Sequence, residues 1–202
     1  MISTQPPSST TTATSTTSTS VTAAAPTATS AARHASGHSL DGLATRSLTE
    51  LDALYRAAAV SSTIHAVDGP LVGRMLAVRR IPGGIAGALR RWAASPSFVW
   101  EGKTFQATSG THGTGHNRVS VPGVLGRQNL FPFATSFGPS AVDGKPTLIL
   151  DYDLDVNPSY IRHVHDEIRE VSPGLFLGPA MWKAARGDKL LVLYFALDAR
   201  LS

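Results

Sequence analysis

Three acidic residues alternate in "LILDYDLDVN" (148–157), namely Asp151, Asp153 and Asp155. If this segment is a strand, the three carboxylates share one face and need water, a cation or basic partners. Asp151 directly follows an apolar run, so we expect it to lie deepest. A partly buried carboxylate without a partner has a raised pKa and can serve as a general acid or base. A structural ion pair at Asp151 is the alternative, and both interpretations stay open.

Metal and cofactor chemistry finds little support in the sequence. The D-x-D-x-D spacing also opens the EF-hand calcium loop, but Val156 and Arg162 stand where that loop requires Gly and Glu. The chain has no cysteine, which excludes thiolate ligands and a cysteine nucleophile. No phosphate-binding or dinucleotide fingerprint occurs, so we expect neither a metal nor another cofactor.

Two histidines lie close together in "IRHVHDEIRE" (161–170). Asn157 and Pro158 are a typical start of a helix, so the sequence predicts one helix from 158 to about 171. On a helix, His163 and His165 are about 200° apart around the axis. They therefore cannot both bind one metal ion.

The same predicted helix carries candidate catalytic residues. We expect His165, Asp166 and Arg169 on or near its protein-facing side, with Asp151 of the preceding strand as their partner. In this interpretation Asp151 is the general acid or base, Asp166 and Arg169 orient it or the substrate, and His165 relays a proton. The alternative is a solvated helix held by ion pairs along its surface.

The remaining pattern indicates the elements that position these residues. "SLTE" (47–50) is a capping box and predicts a helix that ends near residue 59. A strand over 70–80 and a short amphipathic helix over 84–95 follow. From residue 98 onward, strands alternate with Gly, Pro and Asn turns. We predict an α+β fold, a mainly antiparallel small β-barrel with two or three flanking helices.

The chain of 202 residues divides into a tail and one domain. Residues 1–44 are rich in Ser, Thr, Ala and Pro and are predicted to be disordered, because they bury too little apolar surface. Residues 45–202 form the predicted barrel domain. No secretory signal and no run of 18 apolar residues occur, so we expect a cytoplasmic protein without stable membrane insertion.

Basic residues concentrate between positions 73 and 103. This segment contains six of them and one acidic residue, Glu101. A solvated surface is one interpretation, and a binding site for an anionic ligand or a membrane surface is another. Nucleic acid is not an expected partner, because no aromatic residues interleave with the charges in a binding motif. The sequence does not indicate an oligomeric state.

Several segments together resemble an uncharacterised bacterial family. They are W-x-GK-x-F (100–105), "NR" (117–118), "LDY" (150–152), "DEIREVSPGLFLG" (166–178) and a final "FALD" (195–198). The similarity covers roughly residues 48 to 199 and extends more faintly to the GxWxG-type domains. It implies a calycin-like or lipocalin-like barrel and no defined activity. His165 and Met181 depart from the family pattern, whereas Asp151, Tyr152, Asp166, Glu167 and Arg169 match it.

Two functions follow from this fold. The first is binding of a hydrophobic or amphipathic small molecule inside the barrel. Its expected ligand-binding residues are Trp100, Phe105, Asn117, Tyr152, Trp182 and Tyr194. The second is an acid–base enzyme of secondary metabolism, an isomerase, cyclase or hydrolase, that uses Asp151 with Asp166 and Arg169. An interaction module that uses the basic segment is a weaker third hypothesis.

Overall fold

The fold is a closed antiparallel barrel, seen in a computed structural model that describes residues 38–79, 99–120 and 126–201. Each strand pairs with its neighbours in the chain, and β8 returns to pair with β1. The strands are β1 (Gly69–Val78), β2 (Val99–Ala107), β3 (His112–Ser120), β4 (Arg127–Pro139), β5 (Pro146–Asp151), β6 (Val164–Ser172), β7 (Leu175–Lys183) and β8 (Lys189–Asp198). This confirms the predicted small calycin-like barrel, in which each of the eight described strands is paired on both sides.

Within the described ranges, three short α-helices accompany the strands: α1 (Leu40–Ala44), α2 (Leu48–Ala57) and α3 (Ser159–Arg162). The predicted capping box is present, since the Ser47 hydroxyl accepts from the Glu50 amide and the Glu50 carboxylate accepts from the Ser47 amide. Helix α1 lies inside the segment predicted to be a disordered tail, and its Leu40 and Leu43 are buried. The structured part therefore begins before residue 45, and residues 1–37 lie outside the described residues.

The largest correction concerns "IRHVHDEIRE". Only α3 is helical in the segment predicted as one helix over 158–171, and β6 occupies the rest. Strand β6 pairs with β5 on one side and with β7 on the other, which closes the barrel. Cross-strand pairing on both sides outweighs the helix propensity of Glu and Arg, because strand preference depends mainly on packing context.

Other predicted elements agree with the structure or lie outside it. Strand β1 confirms the strand predicted over 70–80. The segment 112–116 contains two glycines and is nevertheless the first half of β3. The helix predicted over 84–95 lies outside the described residues. None of the helices among the described residues is long and apolar enough to cross a membrane.

Apolar side chains are buried on both faces of the barrel wall. The interior core is aromatic at its centre, where the rings of Phe105 and Phe133 meet edge to face, with centroids 5.3 Å apart. A second core forms outside the barrel, where α1 and α2 cover β7 and β8. Its buried members are Leu40, Leu43, Leu51, Tyr55, Leu175, Leu177, Tyr194 and Ala196. Because helices cover these strands, their outward side chains are also buried, and simple alternation of polar and apolar residues is lost.

Candidate functional site

A cavity of about 70 Å³ lies inside the barrel, at the end where β6 begins and β7 ends. Most of its wall is apolar. The wall includes Met75, Trp100, Phe131, Val164, Trp182 and Phe195. Four buried polar side chains interrupt this wall, those of Lys103, Asn117, Tyr152 and Asp166. An apolar cavity with a few convergent polar groups is the usual form of a small-molecule site.

Aromatic side chains form a large part of the cavity wall. Tyr160 of α3 belongs to the lining and is half exposed to solvent. The imidazole of His163 stacks on the Trp182 indole, with ring centroids 5.2 Å apart and an interplanar angle of 15°. Tyr160 and Trp182 thus contribute flat side chains to the cavity wall, and His163, the residue after α3, stacks on one of them.

The four polar side chains form one hydrogen-bonded cluster. Lys103 Nζ donates to Asn117 Oδ1 over 2.9 Å and lies 3.0 Å from Asp166 Oδ2. Lys103 also donates to the Tyr152 hydroxyl, which itself donates to Asp166 Oδ2 over 3.1 Å. Trp100 Nε1 completes the cluster by donating to Asn117 Oδ1 over 3.0 Å. All members except Trp100 are almost fully buried.

Strand registers explain why these residues meet. Lys103 and Asn117 are directly opposed on β2 and β3. Asp166 is opposed to Leu150, which is part of the interior core, and Tyr152 follows Leu150 at the next inward position. A register shift between Trp100 and Gly102 marks an irregularity in β2, and both Trp100 and Lys103 line the cavity. The cluster thus combines side chains from β2, β3 and β6 and from the end of β5.

The environment of Lys103 is apolar and aromatic. Its Nζ lies 5.2 to 5.6 Å from the ring centroids of Trp100, Phe133, Tyr152 and Phe195. Burial lowers the pKa of Lys103, while the Asp166 carboxylate acts in the opposite direction. Burial and the same carboxylate raise the pKa of Tyr152 well above its ordinary value, so Tyr152 is a neutral donor.

Asp166 has one oxygen without a partner. Its Oδ2 accepts the bonds from Lys103 and Tyr152, but its Oδ1 is buried and accepts no hydrogen bond from any residue that the structure describes. A buried acceptor without a donor is unfavourable, and such groups are rare in folded proteins. This orphan oxygen belongs to a residue that lines the cavity.

His165, Glu167 and Arg169 of β6 point away from the cavity. Glu167 is fully buried on the outer face of the wall, beneath α2. Tyr55 donates to Glu167 Oε2 over 2.7 Å, and His165 Nε2 lies 3.0 Å from Glu167 Oε1. Burial acts to raise the pKa of Glu167, but hydrogen bonds from His165, the Ala141 amide, Ser140 and Tyr55 hold it below its ordinary value.

Arg169 also lies on the outer face, where it anchors the β4–β5 turn. Its guanidinium binds both carboxylate oxygens of Asp143, over 2.7 and 2.9 Å, and covers the Tyr55 ring at 4.4 Å from the ring centroid. The bidentate bond and nearby charges hold the pKa of Asp143 at about 2. The surroundings of Arg169 are those of a structural residue.

Asp151 does not lie in the cavity. Its side chain points outward from β5 and is half exposed, and Lys183 Nζ lies 2.7 Å from its Oδ1. Burial acts to raise its pKa, but Lys183 and the Asp153 amide hold it below the ordinary value. The predicted group of Asp151, His165, Asp166 and Arg169 is therefore not formed, because β6 is a strand and sends only Asp166 inward.

The predicted ligand-binding residues divide similarly. Trp100, Asn117, Tyr152 and Trp182 line the cavity. Phe105 packs deeper in the interior core. Tyr194 lies in the outer core, where its hydroxyl donates to Asp52 over 2.9 Å.

Lys103 is a site residue that the sequence analysis did not single out, because it was grouped with the other basic residues of positions 73–103. Its position two residues before Phe105 was the available signal, since strand alternation places both side chains on one face. An isolated lysine on an apolar strand face indicates a buried charge with an acidic partner.

Comparison with known proteins adds no assignment: no family model, curated protein or solved structure matches the chain. Among the residues that the structure describes, no three His, Asp or Glu side chains gather as a metal site would require. The cavity and its polar cluster are therefore the features from which a function can be inferred.

Proposed function

We propose that this barrel binds an amphipathic small molecule in its cavity. The observation that carries the proposal is a single buried polar cluster, Lys103–Asn117–Tyr152–Asp166, set in an otherwise apolar wall. The apolar part of a ligand would contact residues such as Val164 and Trp182. Its polar part would meet the cluster, which would fix its orientation.

The energetics of the cluster support this proposal. A buried ion pair such as Lys103–Asp166 loses most of its Coulombic gain to desolvation, and apolar side chains of similar volume are often as stable or more so. The pair is thus a poor device for stabilising a barrel core. Ligand recognition would explain the presence of this ion pair. A buried polar group discriminates strongly between ligands that form a hydrogen bond with it and ligands that cannot.

Native mass spectrometry of protein purified from its own host tests the proposal directly. We expect a retained small molecule whose mass names its chemical class. Trp182→Ala removes a large part of the wall and should reduce the retained fraction. Leu190→Ala is the matched control, because Leu190 is paired with Trp182 across β7 and β8 but is exposed outside the cavity. An empty wild-type protein, or equal loss in both variants, would argue against a cavity ligand.

Acid–base catalysis at the same site is the second candidate, in the form of an isomerase, cyclase or hydrolase of secondary metabolism. It is supported by the Tyr152 hydroxyl, which contacts both Lys103 and Asp166 inside the cavity. Tyr152 would donate a proton and Asp166 would accept one. Tyr152→Phe should then abolish conversion of the retained compound while leaving its binding largely intact. Equal conversion by wild type and Tyr152→Phe would contradict catalysis by this group.

The cellular location and family remain proposals as well. We propose a cytoplasmic protein that belongs to the uncharacterised bacterial family with the W-x-GK-x-F and DEIREV-x-PG motifs. Lys103 and Asp166, each a member of one of these motifs, meet in the cavity, and this supports a shared site. Cell fractionation with an antibody against the chain tests the location.

A further inference from the structure

We propose that the ligand of this cavity is a neutral molecule with a hydroxyl or N–H group that donates to Asp166 Oδ1. This inference rests on the proposed binding function and names the chemical class that the site selects. Its starting point is the orphan oxygen: Asp166 lines the cavity, is almost fully buried, and its Oδ1 has no donor among the described residues.

The donors of the cluster are already in use. The ammonium of Lys103 has three N–H groups, and its three partners are Asn117 Oδ1, the Tyr152 hydroxyl and Asp166 Oδ2. The Asn117 amide donates to the Tyr152 hydroxyl and to the Phe131 carbonyl. Trp100 Nε1 donates to Asn117 Oδ1. None of these donors can bind Asp166 Oδ1 without breaking a hydrogen bond that it already makes to another acceptor.

The charges of the cluster select against ionised ligands. Lys103 and Asp166 neutralise each other at 3.0 Å, so the cluster carries no net charge to attract an ion. A carboxylate ligand would meet the acceptor Asp166 Oδ1 and be repelled. An ammonium ligand would lie close to the Lys103 ammonium and lose its own hydration in an apolar cavity. A neutral donor meets neither penalty.

Three small aromatic probes of nearly equal shape separate the possibilities. p-Cresol can donate and accept a hydrogen bond, 4-methylanisole can only accept, and p-xylene can do neither. Titration of isotope-labelled protein, followed by amide chemical shifts in two-dimensional NMR, gives a Kd for each probe. We expect p-cresol to bind roughly ten-fold or more tightly than both other probes, because only p-cresol satisfies the orphan acceptor.

The double variant Lys103→Met/Asp166→Leu provides the matched control. It removes both charges together and so avoids leaving an unpaired buried ion, which would threaten folding. p-Xylene binding shows that the variant retains the cavity. In this variant the advantage of p-cresol over p-xylene should disappear.

Each remaining result has a defined meaning. If all three probes bind the wild type with equal Kd, the donor inference is wrong and the binding function stands. If 4-methylanisole binds as tightly as p-cresol, the site selects an acceptor and the inference is overturned. If the preference for p-cresol persists in the double variant, another residue creates it. If no probe binds, the proposed binding function itself fails, and the inference fails with it.

Discussion

Asp166 and Glu167 are consecutive in the chain but are buried in two separate polar networks on opposite sides of the barrel wall. Asp166 faces the cavity and contacts Lys103 and Tyr152. Glu167 faces α2 and accepts from Tyr55. The strand alternation of β6 produces this division, since neighbouring side chains point to opposite faces. One strand thus serves both a candidate ligand site and the attachment of a helix.

Removal of one charge from the cavity should cost far more than removal of both. Lys103→Met leaves Asp166 buried without its counter-charge, and we expect a loss of about 3–5 kcal/mol in the free energy of unfolding. The double variant Lys103→Met/Asp166→Leu should lie much closer to the wild type. Urea denaturation followed by circular dichroism measures both. A double variant as unstable as the single one would show that the pair itself supports the fold.

The Tyr55 hydroxyl should be important for attaching α2 to the barrel. It contacts Ser140, Thr147 and Glu167, so Tyr55→Phe leaves the buried Glu167 carboxylate short of a donor. We expect a loss of about 1–3 kcal/mol in the free energy of unfolding. Tyr160→Phe is the control, because Tyr160 is half exposed and should change stability little. Equal effects of the two substitutions in thermal unfolding would refute the role of the hydroxyl.

Asp143 should make stability depend on pH in the acid range. Its folded-state pKa of about 2 lies below the ordinary value of about 3.9. The lower folded pKa means that the ion pair with Arg169 stabilises the protein fully above about pH 5. This contribution is lost as the pH falls through about 4 toward 2. The free-energy difference between wild type and Asp143→Asn should therefore shrink by about 1–2 kcal/mol over this range, and a constant difference would contradict the assignment.

Gly73 should be required for the position of Trp100 in the cavity wall. A Cβ atom at residue 73 would lie 2.5 Å from Trp100 Cη2 and 2.5 Å from the Gly102 Cα. Gly73→Ala should cost about 1–3 kcal/mol and change the tryptophan fluorescence. Gly110→Ala is the control, since the nearest atom to its new Cβ is Thr63 Oγ1 at 3.9 Å. Unchanged fluorescence in Gly73→Ala would show that the indole is placed by other contacts.

The sequence predicted the barrel well because most of its strands carry local signals. The apolar run before Asp151 marked β5, and the capping box of Ser47 and Glu50 marked α2. These signals depend on residues close together in the chain. The expected alternation is present at β5, where Leu148, Leu150 and the following Tyr152 point inward and Asp151 points outward.

The candidate site was harder to predict because it depends on β6. Charged residues on both faces of a strand are unusual, and they look like a helix when read alone. On the inner face of β6, Lys103 forms an ion pair with Asp166. On the outer face, Tyr55 donates to Glu167 and Asp143 pairs with Arg169. Such partners come from distant segments, and no local pattern shows them.

The alternation on β6 also protects the barrel against misalignment. Slippage of β6 by one residue past β5 and β7 would exchange its two faces. Arg169 would then enter the apolar interior where Ile168 packs, and Asp166 would meet the helix in place of Glu167. Every wrong alignment of this kind buries an unmatched charge, which is costly. The charges of β6 therefore disfavour every one-residue shift of this strand against β5 and β7.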